Sequence, residues 1–364
     1  MGIKKLHLCN FRNYTNQLIE FHPSINILIG KNGQGKTNIL EAIYFLGFLR
    51  SFRTSTHQNL KLINSDGFHI LSEIESSQWN KTLYVEHGIK RILKTNNNIV
   101  HKSSEFIGEI KPVIFTNDDI QIILGSSKIR RKFIDIIISL IDRRYLLALQ
   151  NYSVALKSIN SIIRNSKNYK ETNNLISAFI PIFEENALFI NELRSKYFKL
   201  IEEKADKILK NIKSDKFELK LKYQSRINNK IIKDNLVSGF IRDEIFKNTK
   251  RGFVGIGPHL DDFEILLNGK NMKNYSSLGE CRAASISIKM AEIELLINNN
   301  KSNKVIALID DVTGELDSKT KDAFLSLIVN ANQSFFTFSK KYDDKFYADC
   351  KKFLVENGTV TEIN

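Results

Sequence analysis

Gly30-Lys31-Asn32-Gly33-Gln34-Gly35-Lys36-Thr37 is a complete GxxxxGKT phosphate-binding loop, preceded by the apolar run Ile25–Ile29 and followed by the helical pattern of Asn38–Leu46. A strand that stops at Gly30 and a helix that starts near Lys36 leave successive backbone N–H groups converging on a concavity. The helix dipole there also favours negative charge. Glycines at 30, 33 and 35 permit positive φ and close approach of backbone to ligand. Lys36 is placed to reach the β and γ phosphates as a catalytic cation, and the Thr37 hydroxyl to ligate Mg2+. We read an ATP site, although the loop itself does not distinguish adenine from guanine.

A second element supplies the metal's other partner. Val305–Ile309 is a short, wholly apolar run of the kind buried in a parallel sheet, and Asp310-Asp311 follow at once. Asp310 is the expected Mg2+ carboxylate, and Asp311, turned differently, the residue that orients or activates water. Thr37 and Asp310 lie 273 positions apart, so a large insertion must separate the two halves of one ATP site. A third element, Tyr275-Ser276-Ser277-Leu278-Gly279-Glu280, opens a helix running through Ala291–Leu296. It offers Ser277 and free N–H groups at a positive helix end, either as a simple serine cap or as an anion site for the triphosphate of a second subunit.

Between these elements the pattern changes twice. Ile3–Leu8, Leu18–Phe21, Ile25–Ile29, His69–Glu75, Thr82–His87 and Val113–Phe115 have strand composition. From Ile129 to Lys213 apolar residues recur at helical spacing. Phe217–Tyr223 reads as a strand and Lys230–Phe246 as a helix. Phe263–Leu267 with Asn268-Gly269 then begins a hairpin, Gly279–Ile297 is a helix, and Ser334–Phe336 is a strand. The expected organisation is α/β: an ATPase lobe from residues 1–124 and 250–364, with a mainly helical lobe, 125–249, inserted between them.

Composition narrows the class. The chain has 364 residues, 42% of them hydrophobic, enough for a large core. No apolar run approaches the ~18 residues of a membrane helix, and Met-Gly-Ile-Lys-Lys-Leu-His lacks a signal-peptide core, so a cytoplasmic location is expected. Cys9, Cys281 and Cys350 have no metal-ligand spacing, which argues against zinc and suits buried packing residues. The net charge of +14 suits a polyanionic partner. Local clusters occur at Lys128, Arg130, Arg131 and Lys132, at Arg143 and Arg144, and at Arg194, Lys196, Lys199, Lys204, Lys207 and Lys210. Each reads as a solvated helix face or as part of a nucleic-acid surface.

The ordered set of motifs resembles the RecF family of bacterial recombination mediators, which belongs with the SMC proteins to the ABC-type ATPases. Its carriers are Asn10-Phe11-Arg12-Asn13-Tyr14, the phosphate loop extended through Tyr44, Arg50-Ser51-Phe52-Arg53, and Leu124-Gly125-Ser126. Further along come Arg130-Arg131-Lys132-Phe133-Ile134-Asp135, Gly257-Pro258-His259, Ser277-Leu278-Gly279-Glu280 and Leu308-Ile309-Asp310-Asp311. The resemblance implies an ATP-gated DNA clamp. ATP closes a homodimer through Ser277 and Gly279, the closed form binds single-stranded DNA and duplexes or junctions, and slow DNA-stimulated hydrolysis releases it. It also implies RecR- and RecO-type partners, help in loading RecA at gaps, replication restart and the SOS response, and it puts Arg12 and Asn13 beside the nucleotide. Departures are Glu280 for the family's usual glutamine, Leu260 for an arginine, Gly314 for a serine, and no histidine after His259, which leaves Thr337 or Ser339 for the switch position. The alternatives are another SMC-like structural ATPase, against which the short helical region counts, and a hydrolysis-deficient ATP-gated DNA-binding switch.

Overall fold

The computed structural model describes residues 2–76, 79–165, 169–227, 243, 245, 252–299, 305–312, 316–339 and 349–363. The chain divides into two compact units, residues 1–119 with 292–364, and residues 120–291. Along the first unit run β1 (Gly2–Phe11), β2 (Tyr14–Glu20), β3 (Ile25–Ile29), β4 (Phe68–Glu75), β5 (Asn80–His87), β6 (Arg91–Thr95), β7 (Asn98–Ile99) and β8 (Lys111–Phe115). The second unit contributes β9 (Leu219–Gln224), β10 (Asp262–Leu267) and β11 (Lys270–Asn271). The chain then returns to the first unit through β12 (Val305–Asp310), β13 (Gln333–Phe338), β14 (Cys350–Glu356) and β15 (Thr359–Ile363).

The first unit holds two sheets. An antiparallel one has the order β2-β1-β4-β5-β6-β7, and β1 alternates: Leu6 and Leu8 are fully buried while His7 and Cys9, each one residue further on, are half-buried. The other has the order β15-β14-β3-β13-β12-β8 and is parallel except for its edge strand β15. β12 is apolar up to Asp310, and all six residues of β13 are buried although three of them are polar, as expected for parallel strands covered on both faces. The helix Lys36–Phe48 belongs to that cover, with Ile39, Leu40, Ile43, Phe45 and Leu46 all fully buried. A helix apolar on nearly every side has no solvent face to keep, which is why its sequence lacks an amphipathic stripe.

Two hairpins lie outside the strands expected from the sequence. Asn357-Gly358 joins β14 to β15 with φ of 48° and 75°, and Asn96-Asn97 joins β6 to β7 with φ of 50° and 63°. Both are two-residue turns with positive φ at each central position, the type that matches strand twist.

In the second unit the helices Ser127–Ile141, Arg143–Asn165, Tyr169–Ser177 and Ile180–Ile212 account for the helical stretch. Their core is held by a buried cation. Arg194, 2% exposed, donates to both oxygens of Asp135 at 3.0 Å, to Asp261 Oδ2 at 3.0 Å, to the Pro258 carbonyl at 2.7 Å and to the Tyr145 hydroxyl at 3.2 Å. Arg130 makes a bidentate pair with Asp262 at 2.7 and 2.9 Å, and Arg131 donates to the Asp261 carbonyl at 2.6 Å. These bonds tie the stretch after Gly252 to the helices, and β10 pairs with β9 in the same unit. Gly252–Ala291 therefore belongs to the second unit, whereas the sequence reading returned to the first lobe at residue 250. The helix Leu278–Asn298 carries the chain back. Most of the helix expected over Lys230–Phe246 lies outside the described residues.

Candidate nucleotide site

The phosphate loop leaves β3 as expected, with φ of 158°, 82° and 118° at Gly30, Gly33 and Gly35. Two of these glycines are required by the loop's own neighbours. A Cβ on Gly30 would run into the Val355 carbonyl, and one on Gly35 would approach Asn13 and the Tyr14 hydroxyl at 2.7 Å. Gly33 meets nothing, so its role is conformational.

The loop is braced from outside. Asn13 donates to the Gln34 carbonyl at 2.9 Å, Tyr14 to the Gly35 carbonyl at 3.0 Å, and Asn38 to Asn13 Oδ1 at 2.8 Å. From the other side, the Asn357 N–H donates to Gln34 Oε1 at 2.7 Å. Lys31 and Asn32 are exposed at the loop's crest. Lys36 is 6% exposed and donates to the carbonyls of Gly30 at 2.6 Å and Lys31 at 2.8 Å. Burial pulls its ammonium below the ordinary lysine range, against Asp311 and Asp310, which favour the charge.

The two ends of the chain meet at Thr37. Its hydroxyl lies 2.8 Å from Asp310 Oδ1 and 3.0 Å from Oδ2, although 273 positions separate the residues. Strand order explains the meeting: β13 sits between β3 and β12, with Thr337 opposite both Leu28 and Asp310. Thr337 donates to Asp310 Oδ1 at 2.9 Å, and Ser339, just past β13, donates to Asp311 Oδ2 at 2.9 Å. Burial raises the Asp310 carboxyl above the ordinary aspartate range, while the bonds from Thr37 and Thr337 pull it back. A threonine hydroxyl and a buried carboxylate are hard oxygen donors, the chemistry that suits Mg2+, and a divalent cation would relieve the burial of the Asp310 charge. Asp311 adopts φ 55°, which turns it away from the line of β12.

Arg12 is committed elsewhere. Its guanidinium makes a bidentate pair with Glu41 at 2.7 Å on both arms and donates to the Asn59 carbonyl at 2.6 Å. Glu41, fully buried, also accepts from the Ser51 hydroxyl and lies 3.5 Å from Arg53, which donates to Asn38 at 2.8 Å. Arg12 thus anchors the turn after β1 to the phosphate-loop helix. Glu41 and Arg53 are site features that local motif reading did not assign roles, and Thr337 and Ser339, offered as alternatives for one position, each hydrogen-bond a different carboxylate.

Ser277 and Gly279 belong to the second unit. There Glu280 Oε2 accepts from the Ser277 N–H at 2.7 Å, and the Glu280 N–H donates to Ser277 Oγ at 3.3 Å. This reciprocal capping box occupies the Ser277 N–H that the sequence reading left free. Tyr275 and Leu278 beside it are 73% and 57% exposed, and a Cβ on Gly279 would meet nothing. Gly314 and Glu315 lie outside the described residues.

A phosphate loop after one parallel strand, an acidic pair after another and a hydroxyl-bearing strand between them define a P-loop ATPase head of the ABC/SMC type. The RecF/RecN/SMC N terminal domain family matches residues 2–355. The chain is 34% identical over its full length to the full-length DNA replication and repair protein RecF of Clostridium tetani. It is also 35% identical, over 99% of its length and all of the relative's, to that of Streptococcus gordonii. Among solved structures, the recombination mediator protein RecF-ATPrS in the RecFOR pathway superposes with a TM-score of 0.88 at 29% identity, covering 100% of this chain and 98% of the other. The SmcHead bound to the C-winged helix domain of ScpA reaches a TM-score of 0.56 at 16% identity, over 100% and 97% of the two chains, a likeness of fold alone. The chain belongs to the RecF family.

Proposed function

We propose that the chain is an ATP-dependent DNA-binding protein of recombinational repair and replication restart. The observation that carries this is the bond between Thr37 and Asp310, which joins the phosphate loop to the acidic pair in one site. ATP as the ligand is supported by two similar solved structures, RecF-ATPrS and RecF-ATP. In this reading Gly30 to Thr37 cradle the phosphates through backbone N–H groups. Lys36 exchanges its loop carbonyls for the β and γ phosphates, and Thr37 and Asp310 hold Mg2+. Bound there, Mg2+ supplies charge neutralisation at the phosphate oxygens. Asp311, steadied by Ser339, orients the attacking water. Asn13 acts through the loop it braces, and Arg12 through Glu41.

Dimerisation on ATP is the reading for the exposed Ser277–Gly279 corner, because among the described residues nothing lies where a side chain on Gly279 would stand. DNA, single-stranded and duplex or junction, is the polyanion that the charge of +14 suits. The exposed Lys128, Lys132, Arg143, Arg144, Lys196, Lys199 and Lys207 remain candidates for its contacts, whereas Arg130 and Arg194 are buried in ion pairs. RecR- and RecO-type partners, assistance to RecA, the SOS response, slow DNA-stimulated ATP hydrolysis and a cytoplasmic place complete the reading. Among the described residues no helix is long and apolar enough to cross a membrane.

The test is DNA binding on gapped, duplex and single-stranded substrates with ATP or ADP across a salt series, in wild type and Lys36→Ala. ATP tightens binding in the wild type alone, and the affinity falls steeply with salt. Nucleotide-independent binding would remove the clamp, and ATP affinity unchanged in Lys36→Ala would remove the site.

A further inference from the structure

Three soft or borderline ligands outside the nucleotide site converge on the antiparallel sheet of the first unit. His7 and Cys9 lie two residues apart on one face of β1, opposite to the face that buries Leu6 and Leu8. Cys9 stands directly across from His69 on β4 and from Asn16 on β2. One ligand atom from each of His7, Cys9 and His69 falls within 4.8 Å of the other two. Cys9 Sγ is 3.4 Å from His7 Nε2, close to the roughly 3.6 Å that tetrahedral zinc imposes between a thiolate and an imidazole nitrogen. Asn16 Oδ1 lies 2.6 Å from His7 Nε2 and 3.5 Å from Cys9 Sγ, so an oxygen donor stands at the same point. Glu86 is directly opposite His69 and accepts from the Tyr84 hydroxyl at 2.7 Å, which adds a negative charge beside the cluster.

We propose that His7, Cys9 and His69, with Asn16 as the fourth donor, form a Zn2+ site. The donor set decides the metal: one thiolate and two imidazoles favour Zn2+ over the Mg2+ that the oxygen donors of the nucleotide site select. The ligands come from three adjacent strands, so the ion would pin β2, β1 and β4 together. Cys9 lies two residues before the end of β1, and the turn that follows leads through Asn13 to Tyr14 at the phosphate loop, so the pin steadies the base of that brace. Spacing along the chain argues against zinc because the three cysteines stand far apart in sequence, whereas this set is assembled across strands.

The purified full-length protein is stripped with a chelator and titrated with Co2+ under saturating Mg2+ and without nucleotide. One equivalent binds with a thiolate-to-cobalt charge-transfer band, and Zn2+ displaces it. Cys9→Ser abolishes the band, and His69→Asn weakens Zn2+ binding at least tenfold, both variants keeping the wild-type circular dichroism. Zn2+ raises the melting temperature of the wild type and leaves that of Cys9→Ser unmoved. Absence of the band in the wild type, its persistence in Cys9→Ser, or unchanged affinity in His69→Asn each overturns the site.

Discussion

Replacing Arg12 with alanine separates an arginine that touches the nucleotide from one that anchors the fold beside it. Arg12 gives Glu41 two charge-assisted hydrogen bonds at 2.7 Å, and Glu41 is fully buried. Such bonds contribute about 1.5–3 kcal/mol each, and breaking a buried ion pair by removing one partner costs about 3–5 kcal/mol. Glu41 keeps Ser51 and, at 3.5 Å, Arg53, so its charge is not stranded and the lower end applies. The expected loss is about 3 kcal/mol, which for a unit of this size lowers the melting temperature by about 6–12 °C. Scanning calorimetry without nucleotide measures it, and Arg12→Met combined with Glu41→Leu should recover most of the loss, because the pair is then removed whole. A melt within 2 °C of wild type, accompanied by a large fall in ATP affinity, would refute the anchoring role and restore Arg12 to the nucleotide.

Three further outcomes are expected. Burial raises the Asp310 carboxyl, so the group favours the folded chain below its unfolded pKa and that contribution disappears as pH rises through the folded value; Asp310→Asn therefore raises the melting temperature of the nucleotide-free protein more at pH 7 than at pH 4, while abolishing Mg2+-dependent ATP binding in titration calorimetry. Arg194→Leu leaves Asp261, fully buried, and Asp135 without their cation and destabilises the second unit by about 3–5 kcal/mol in denaturant melts, with Asp261→Asn in the same chain restoring part of it. Gly358→Ala places a Cβ against the Asn13 carbonyl at φ 75°, costs about 1–3 kcal/mol of stability, and weakens ATP binding several-fold in a fluorescent-nucleotide assay because the turn no longer holds Gln34.

Much of the fold was legible because its signals are local. β3 and the central strand β12 carry their burial in composition alone, and the Asn268-Gly269 turn between β10 and β11 is a two-residue signal that needs no partner. Asn357-Gly358 carried the same signal, flanked by Cys350–Glu356 and Thr359–Ile363, and reading it would have supplied the edge hairpin that braces the phosphate loop. The return to the first unit was placed too early because nothing local marks Asp261 and Asp262 as partners of arginines in the 130s and at 194. The same pairs explain why charge clustering overstated the basic surface: Arg130 and Arg194 each lie two residues from a lysine in sequence but are buried in space.

The candidate site divides along the same line. The phosphate loop is contiguous, so its residues were named from one window, and Asp310 followed because an apolar strand ended in two acids. The residues that tune those groups come from other strands. Thr337 donates to Asp310 only because β13 lies between β3 and β12, and Ser339 reaches Asp311 only because β13 ends one residue earlier. Neither spacing exists along the chain. The two positions expected to stand in for a switch histidine after His259 both carry hydroxyls. Two hydroxyls hydrogen-bond the two carboxylates, and hydroxyls do not titrate near neutral pH as imidazole does. The strand beside the acidic pair therefore adds no group that titrates near neutrality, while burial raises the Asp310 carboxyl above the ordinary aspartate range.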